Sequence, residues 1–389
     1  MFAKIATLLR GTPPLPDQAK AALAMDKGGV PATDPGPEAV IAACADWLCR
    51  AQDNSASGDP GVARDYSLIK GWATSYPETT GYIVPTMFAV ADHLGRPRLA
   101  ERARAMLDWL VSIQRRDGGF QGGRIDSEPV VSVTFNTGQI LIGLAAGVER
   151  FGEPYQAAMH AAARFLRDSL DADGCWRSHP TPFAKPGEKA YETHVSWGLF
   201  EAERQAPDHG YGAAGLRQID WALTKMAPNG WVADCCLSDA SKPLTHTLGY
   251  YLKGLVEAHR LSGRADILTA AARMAQGLAS AQRPDGALPG RLDENWRAAV
   301  RWSCLTGNVQ IADSWYYLAD AAGADALAAA ADRATAFVRR TIRLDGPDGQ
   351  RGGVKGSFPV NGDYGRFEYL NWAAKFTIDA CMTERARSI

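Results

Sequence analysis

Asp117-Gly118-Gly119-Phe120 closes an amphipathic run that begins near Pro97, and the same turn returns as Asp173-Gly-Cys-Trp176, Asn229-Gly-Trp231, Asp285-Gly-Ala-Leu288 and Asp348-Gly349. The intervals are 56, 56, 56 and 63 residues. Asp-Gly and Asn-Gly suit a chain that must stop a helix and turn through positive φ, and the aromatic or apolar residue that follows can fold back on a packed interior. A turn that recurs at this spacing is the mark of a repeated supersecondary unit.

Before each turn the apolar residues fall at helical spacing, as in Ala103, Met106, Leu107, Leu110 and Val111, or Ala162, Phe165, Leu166 and Leu170. These runs predict outer helices near 38–52, 97–115, 154–170, 214–227, 264–282 and 325–343. After each turn an irregular segment of roughly ten to twenty residues leads to a second helix that is apolar on nearly all sides. These inner helices are expected near 78–94, 135–149, 192–204, 245–260, 305–321 and 367–383. A helix apolar all round needs neighbours all round. Six such pairs therefore predict an all-α fold, an (α/α)6 toroid of six hairpins in two concentric layers. An open solenoid is the alternative that the same period permits, but the last inner helix stays apolar through Ala373, Phe376 and Ile378 and lacks the polar outer face of a cap.

Working outward, residues 1–36, rich in Pro and Gly from residue 11, read as an extended arm, and 37–389 as one toroidal domain. Lys and Arg number 42 against 43 Asp and Glu, a net charge of −1 that supplies no general field for nucleic acid or an anionic membrane. Seven cysteines without framework spacing read as reduced thiols. With no run long enough to insert in a membrane and no secretory h-region, a cytoplasmic protein is expected.

The segments Gln114-Arg-Arg-Asp-Gly-Gly-Phe120 and Gln282-Arg-Pro-Asp-Gly286 resemble the Gln-x-x-Asp-Gly repeat of terpenoid cyclases. Most of residues 38–383 resembles the α/α-toroid superfamily that holds six-hairpin glycosidases, polysaccharide lyases, uronyl epimerases, and terpenoid cyclases with protein prenyltransferases. The resemblance implies architecture more than chemistry. Asp234-Cys-Cys236 resembles part of the prenyltransferase zinc set, with His246 the one candidate for its histidine. The Asp-x-Asp-Asp acid of class II cyclases is missing, since Asp171-Ala-Asp173 runs into Gly174. No cofactor and no resident metal are expected.

Parallel inner helices gather their N-termini at one face, where the positive ends of their dipoles favour an anion. Glu78, Asn136, Glu192, His246, Asn308 and Glu368 occupy first-turn positions and are expected to converge on one mouth. Such residues also serve helices as ordinary caps and first-turn acids. Glu78, Glu192 and Glu368 are the candidate catalytic acids, and His246 and Tyr250, four apart on one helical face, the candidate acid–base pair of an elimination. Toroidal lyases use a similar set of residue types. Tyr82, Asn136, Gln139, His194, Trp231, Trp302, Asn308, Tyr364 and Arg366 are the candidate sugar-binding groups, because flat rings stack on sugar faces while amides and guanidinium groups hold hydroxyls and carboxylates. The expected partner is an oligosaccharide or polysaccharide, acidic and of the bacterial-surface type, that the protein cleaves or modifies. An isoprenoid enzyme, which would need a deep apolar chamber, and a non-catalytic glycan-binding toroid are the alternatives.

Overall fold

The computed structural model describes residues 14–387. After α1 (Asp17–Lys27), outer and inner helices alternate: α2 (Pro37–Asp53) and α3 (Pro77–Leu94), α4 (Pro97–Ile113) and α5 (Thr134–Phe151), α6 (Gln156–Asp168) and α7 (Thr193–Gln205), α8 (Tyr211–Leu223) and α9 (Thr245–Ser262), α10 (Ala265–Ser280) and α11 (Leu305–Ala322), α12 (Asp325–Arg340) and α13 (Asn371–Arg387). Each inner helix packs on the next, and α13 returns to both α2 and α3. The ring closes, giving the (α/α)6 toroid rather than an open solenoid.

Closure is visible in the turns themselves. Gly118 has φ +89°, and a Cβ there would stand 2.4 Å from the carbonyl oxygen of Ala161 on the next outer helix. Gly174 meets Arg217 O at 2.4 Å, Gly286 meets Arg333 O at 2.1 Å, and Gly352 meets Ala43 O at 2.1 Å on α2. The last of these joins the final repeat to the first. It also corrects the fifth turn, which lies at Gly352 and not at Asp348-Gly349; Gly349 instead offers its carbonyl to the Trp47 indole at 2.9 Å. The inner ring is equally tight, since a Cβ at Gly143 would stand 2.2 Å from the Gly81 carbonyl oxygen and one at Gly198 2.4 Å from that of Gly138. Glycine lets these inner backbones touch, which narrows the lumen.

Two expectations are corrected here. The arm is not extended throughout: residues 17–27 form α1, held by Asp26, whose carboxylate accepts from Lys355 Nζ at 2.5 Å and from the Val360 amide at 2.8 Å in a buried setting. Residues 1–13 lie outside the described part. The sixth inner helix begins at Asn371, not 367, because Glu368–Leu370 form a strand, β5, that pairs antiparallel with β1 (Asp65–Ser67), Ser67 opposite Glu368 and Asp65 opposite Leu370. β1 also pairs with β2 (Gly71–Trp72), while β3 (Ser303–Cys304) pairs with β4 (Ser357–Phe358). The β1–β5 pair straps the first repeat to the last at the mouth of the ring. No helix among the described residues is long and apolar enough to cross a membrane.

Candidate active site

Hydroxyls and amides in the first turns of the inner helices anchor the irregular segments to the mouth. Thr80 Oγ1 accepts from Val62 N at 3.0 Å, Thr137 Oγ1 from Phe120 N at 2.9 Å, and Asn308 Oδ1 from Leu288 N at 2.8 Å, while Thr247 Oγ1 donates to Cys235 O at 2.7 Å. Asn308 also donates to Ser303 Oγ and Cys304 O and is fully buried, so it is a strut of the loops and not a wall of the cleft.

Above these struts lies a cleft of about 420 Å³, within the usual range for a small-ligand site. Glu78 on α3, Asn136 on α5, His246 and Tyr250 on α9 and Trp372 on α13 line it from the helices; Arg64, Tyr76, Arg124, Thr181, Phe183, Tyr191 and Tyr364 line it from the irregular segments. Of the sequence candidates, Glu78, Asn136, His246, Tyr250 and Tyr364 meet here.

Glu78 is the carboxylate among these lining residues. Its Oε2 accepts from Tyr76 Oη and from Asn136 Nδ2, both at 2.9 Å. Burial pushes its carboxyl group up to about 7, against the opposing pull of the Tyr76 hydrogen bond and the Arg64 charge. A carboxyl poised near neutrality serves as either proton donor or acceptor. Arg64 is held in its charged form: burial opposes the charge, but Asp65 at 2.6 Å and Glu368 at 3.0 Å outweigh that cost. Its guanidinium lies 5.2 Å from the centre of the Trp372 ring, whose indole donates to Tyr364 Oη at 2.8 Å.

His246 shows 5% of its surface and is driven down to about 4 by burial, with the Gln310 hydrogen bond acting the other way. It is neutral at pH 7. Tyr250 packs against it with ring centres 4.3 Å apart, and its hydroxyl lies 3.4 Å from that of Tyr82. Burial holds both phenols well above the ordinary range.

The other candidates lie elsewhere. Glu192 sits in a 3-10 turn (Ala190–Glu192), buried, with Oε2 lacking a partner; desolvation raises its carboxyl to about 8 against the weaker pull of Lys189. It is not among the residues that line the cleft, although Tyr191 beside it is. Glu368, carried off by strand β5, turns to Arg64 instead of to the lumen. Tyr82, Gln139 and His194 are sealed beneath the floor. Trp231 packs edge-on to Trp296 at 5.3 Å, Trp302 packs closely against Gly290 and Gly362, and Arg366 is exposed over Phe367. Asp234 pairs with Lys225 at 3.0 Å and Cys236 Sγ lies 3.8 Å from Arg291 Nη1, so the prenyltransferase-like donors are engaged separately, and no three His, Cys, Asp or Glu converge on a metal position among the described residues. Charged and amide groups in the cleft also depart from the apolar chamber an isoprenoid would need.

Arg64, Arg124 and Phe183 lie in segments without periodicity, and only proximity in space marks them. Tyr76 stood nearer to recognition, as the aromatic residue that precedes Pro77-Glu78 at a helix start.

The architecture defines the fold class, a six-hairpin α/α toroid. Solved structures of that class match along nearly the whole chain. An unsaturated glucuronyl hydrolase specific for heparin has a TM-score of 0.73 at 13% identity, covering 91% of this chain and 98% of its own. An unsaturated glucuronyl hydrolase responsible for the degradation of glycosaminoglycan, from a Bacillus species, scores 0.69 at 13% identity over 89% of this chain and 96% of its own. The cellobiose 2-epimerase of Bacillus thermoamylovorans scores 0.68 at 11% identity, covering 94% and 100%. At such identity the likeness establishes the fold. No family model and no curated protein matches the sequence.

Proposed function

We propose that the protein is a carbohydrate-active enzyme that takes an acidic sugar residue into this cleft and transfers a proton at one of its ring carbons, with Glu78 as the acid. The observation that carries the reading is one buried carboxyl group, raised to about 7, sharing a cleft with the guanidinium groups of Arg64 and Arg124. Inverting or retaining hydrolysis by the usual route needs a second carboxylate roughly 5 to 10 Å away, and Glu78 is the one carboxylate among the lining residues. A uronate held against guanidinium groups and four inner-helix N-termini has its negative charge neutralised. That makes the hydrogen on the adjacent carbon easier to remove. Elimination and epimerisation both use that step; hydration of an unsaturated uronide instead protonates the far carbon of the double bond, with water adding at the carboxylate-bearing carbon, and there too a buried carboxylic acid is the proton donor. His246, neutral, serves as base, and Tyr250 as its neighbouring hydroxyl. Trp372, Tyr364 and Phe135, which lines the cleft from α5, offer the flat faces on which a sugar ring stacks. The names of the similar structures, unsaturated glucuronyl hydrolase and cellobiose 2-epimerase, fit a sugar substrate.

The test is a panel of uronate-terminated, unsaturated and neutral oligosaccharides in deuterated water, followed for reducing ends, ultraviolet absorbance and deuterium at ring carbons. Turnover of an acidic member with deuterium exchange supports the reading. Turnover confined to neutral glycans, or consumption of an isoprenoid diphosphate instead, would overturn it. Binding of acidic glycans without turnover would assign a binding role to the same cleft.

A further inference from the structure

The lumen contains the same side-chain pair twice. Gln139 on α5 meets His194 on α7, Oε1 to Nδ1 at 2.6 Å; Gln310 on α11 meets His246 on α9, again Oε1 to Nδ1 at 2.6 Å. Tyr250 lies between the two imidazoles, 4.4 Å from the first and 4.3 Å from the second. The pairs differ in what the far nitrogen meets. His194 is fully buried, with Nε2 sealed and unpartnered beside Trp197. His246 lines the cleft, and its Nε2 has no hydrogen-bond partner among the described residues.

Resting on the proposed proton transfer, we infer that Gln310 is the positioning residue of this site, holding His246 in the tautomer whose bare Nε2 faces the substrate. The amide oxygen of Gln310 accepts a hydrogen bond, so Nδ1 carries the proton and a neutral ring must leave its lone pair on Nε2. Gln310 is 3% exposed, and its own Nε2 is buried without a partner, so the amide is committed to His246 at the expense of its other hydrogen bonds. The chain makes room for it at Gly249, where a Cβ would stand 3.1 Å from Gln310 Cβ and 3.2 Å from its Oε1. On this account the sealed Gln139–His194 pair is packing, and the open pair is a base with its orientation built in.

Protein labelled with nitrogen-15 histidine, with the His246 signals assigned by their loss in H246N, reports the tautomer at neutral pH through long-range proton–nitrogen NMR. The expected result is a protonated Nδ1 and a bare Nε2. A wild-type signal from Nε2–H, or from imidazolium, would overturn the inference. Q310M removes the acceptor at nearly constant length; it should release the tautomer and slow turnover of an acidic oligosaccharide by about 10²-fold or more, as loss of tautomer control does in other imidazole bases. Q310E retains an acceptor and should retain Nδ1–H, which keeps the test alive if Q310M does not fold. Retention of Nδ1–H in a folded Q310M would count against positioning. The NMR reads the resting protein, so its answer does not depend on the substrate. Turnover that needs Glu78 yet survives H246A would remove the base and the positioning role with it, while leaving the substrate reading intact.

Discussion

Replacing Glu192 with glutamine should flatten the dependence of stability on pH. In the unfolded chain a glutamate ionises near 4.3, whereas the fold buries this carboxyl with Oε2 unpartnered and raises it to about 8. The folded pKa is the higher one, so the stabilising contribution is complete below about pH 4.3 and is lost as pH rises through about 8. Between roughly pH 6 and pH 9 linkage puts the loss at about 2 to 3 kcal/mol. Glutamine occupies the same volume and does not titrate. Urea unfolding of wild type and E192Q across that range should therefore show a difference that widens with pH by this amount, every other titrating group, Glu78 included, cancelling in the subtraction. Parallel curves would refute the argument, because they would mean that Glu192 is solvated or hydrogen-bonded on both oxygens.

Gly143→Ala places a methyl group against the Gly81 carbonyl oxygen and should destabilise the protein by about 1 to 3 kcal/mol through forced separation of α3 and α5, readable as a lower urea midpoint. Lys355→Met strands the buried Asp26 carboxylate and should cost about 3 to 5 kcal/mol, with α1 becoming sensitive to limited proteolysis before the toroid. Arg64→Ala removes a charge that holds Glu78 down and that, on the proposed function, faces the substrate carboxylate. It should raise the pH at which activity falls and weaken binding of acidic oligosaccharides by about 10-fold or more, as isothermal titration would show, while neutral sugars change little.

Much of the ring was legible because its period is carried by residues that no other conformation uses so regularly. Gly118, Gly174, Gly230 and Gly286 all adopt positive φ and all but touch the next outer helix. The fifth turn misled because two Gly-containing turns, at 349 and 352, lie three residues apart, and only the fold distinguishes them: Gly352 has φ +73° and meets Ala43, whereas Gly349 has neither feature. Glu368 misled for a related reason: the periodic pattern of α13 extends backward into Glu368-Tyr369-Leu370, but β1 captures that stretch as a strand, a pairing about three hundred residues away in sequence. First-turn positions held both struts and site residues, so Asn308 and Asn136 looked alike until their partners were seen. Arg64 carried no local signal at all. It becomes part of the site because β1 and β5 meet beside it.

The most direct test of the account is the pH profile of kcat/KM for an acidic oligosaccharide, measured for wild type and for Glu78→Gln. With Glu78 as the acid, wild-type activity should be high below neutrality and fall above an inflection near 7, where the buried carboxyl loses its proton. E78Q should be slower by about 10²-fold or more and should lose that inflection. An E78Q protein that keeps wild-type turnover, or keeps the inflection near 7, would contradict the central claim.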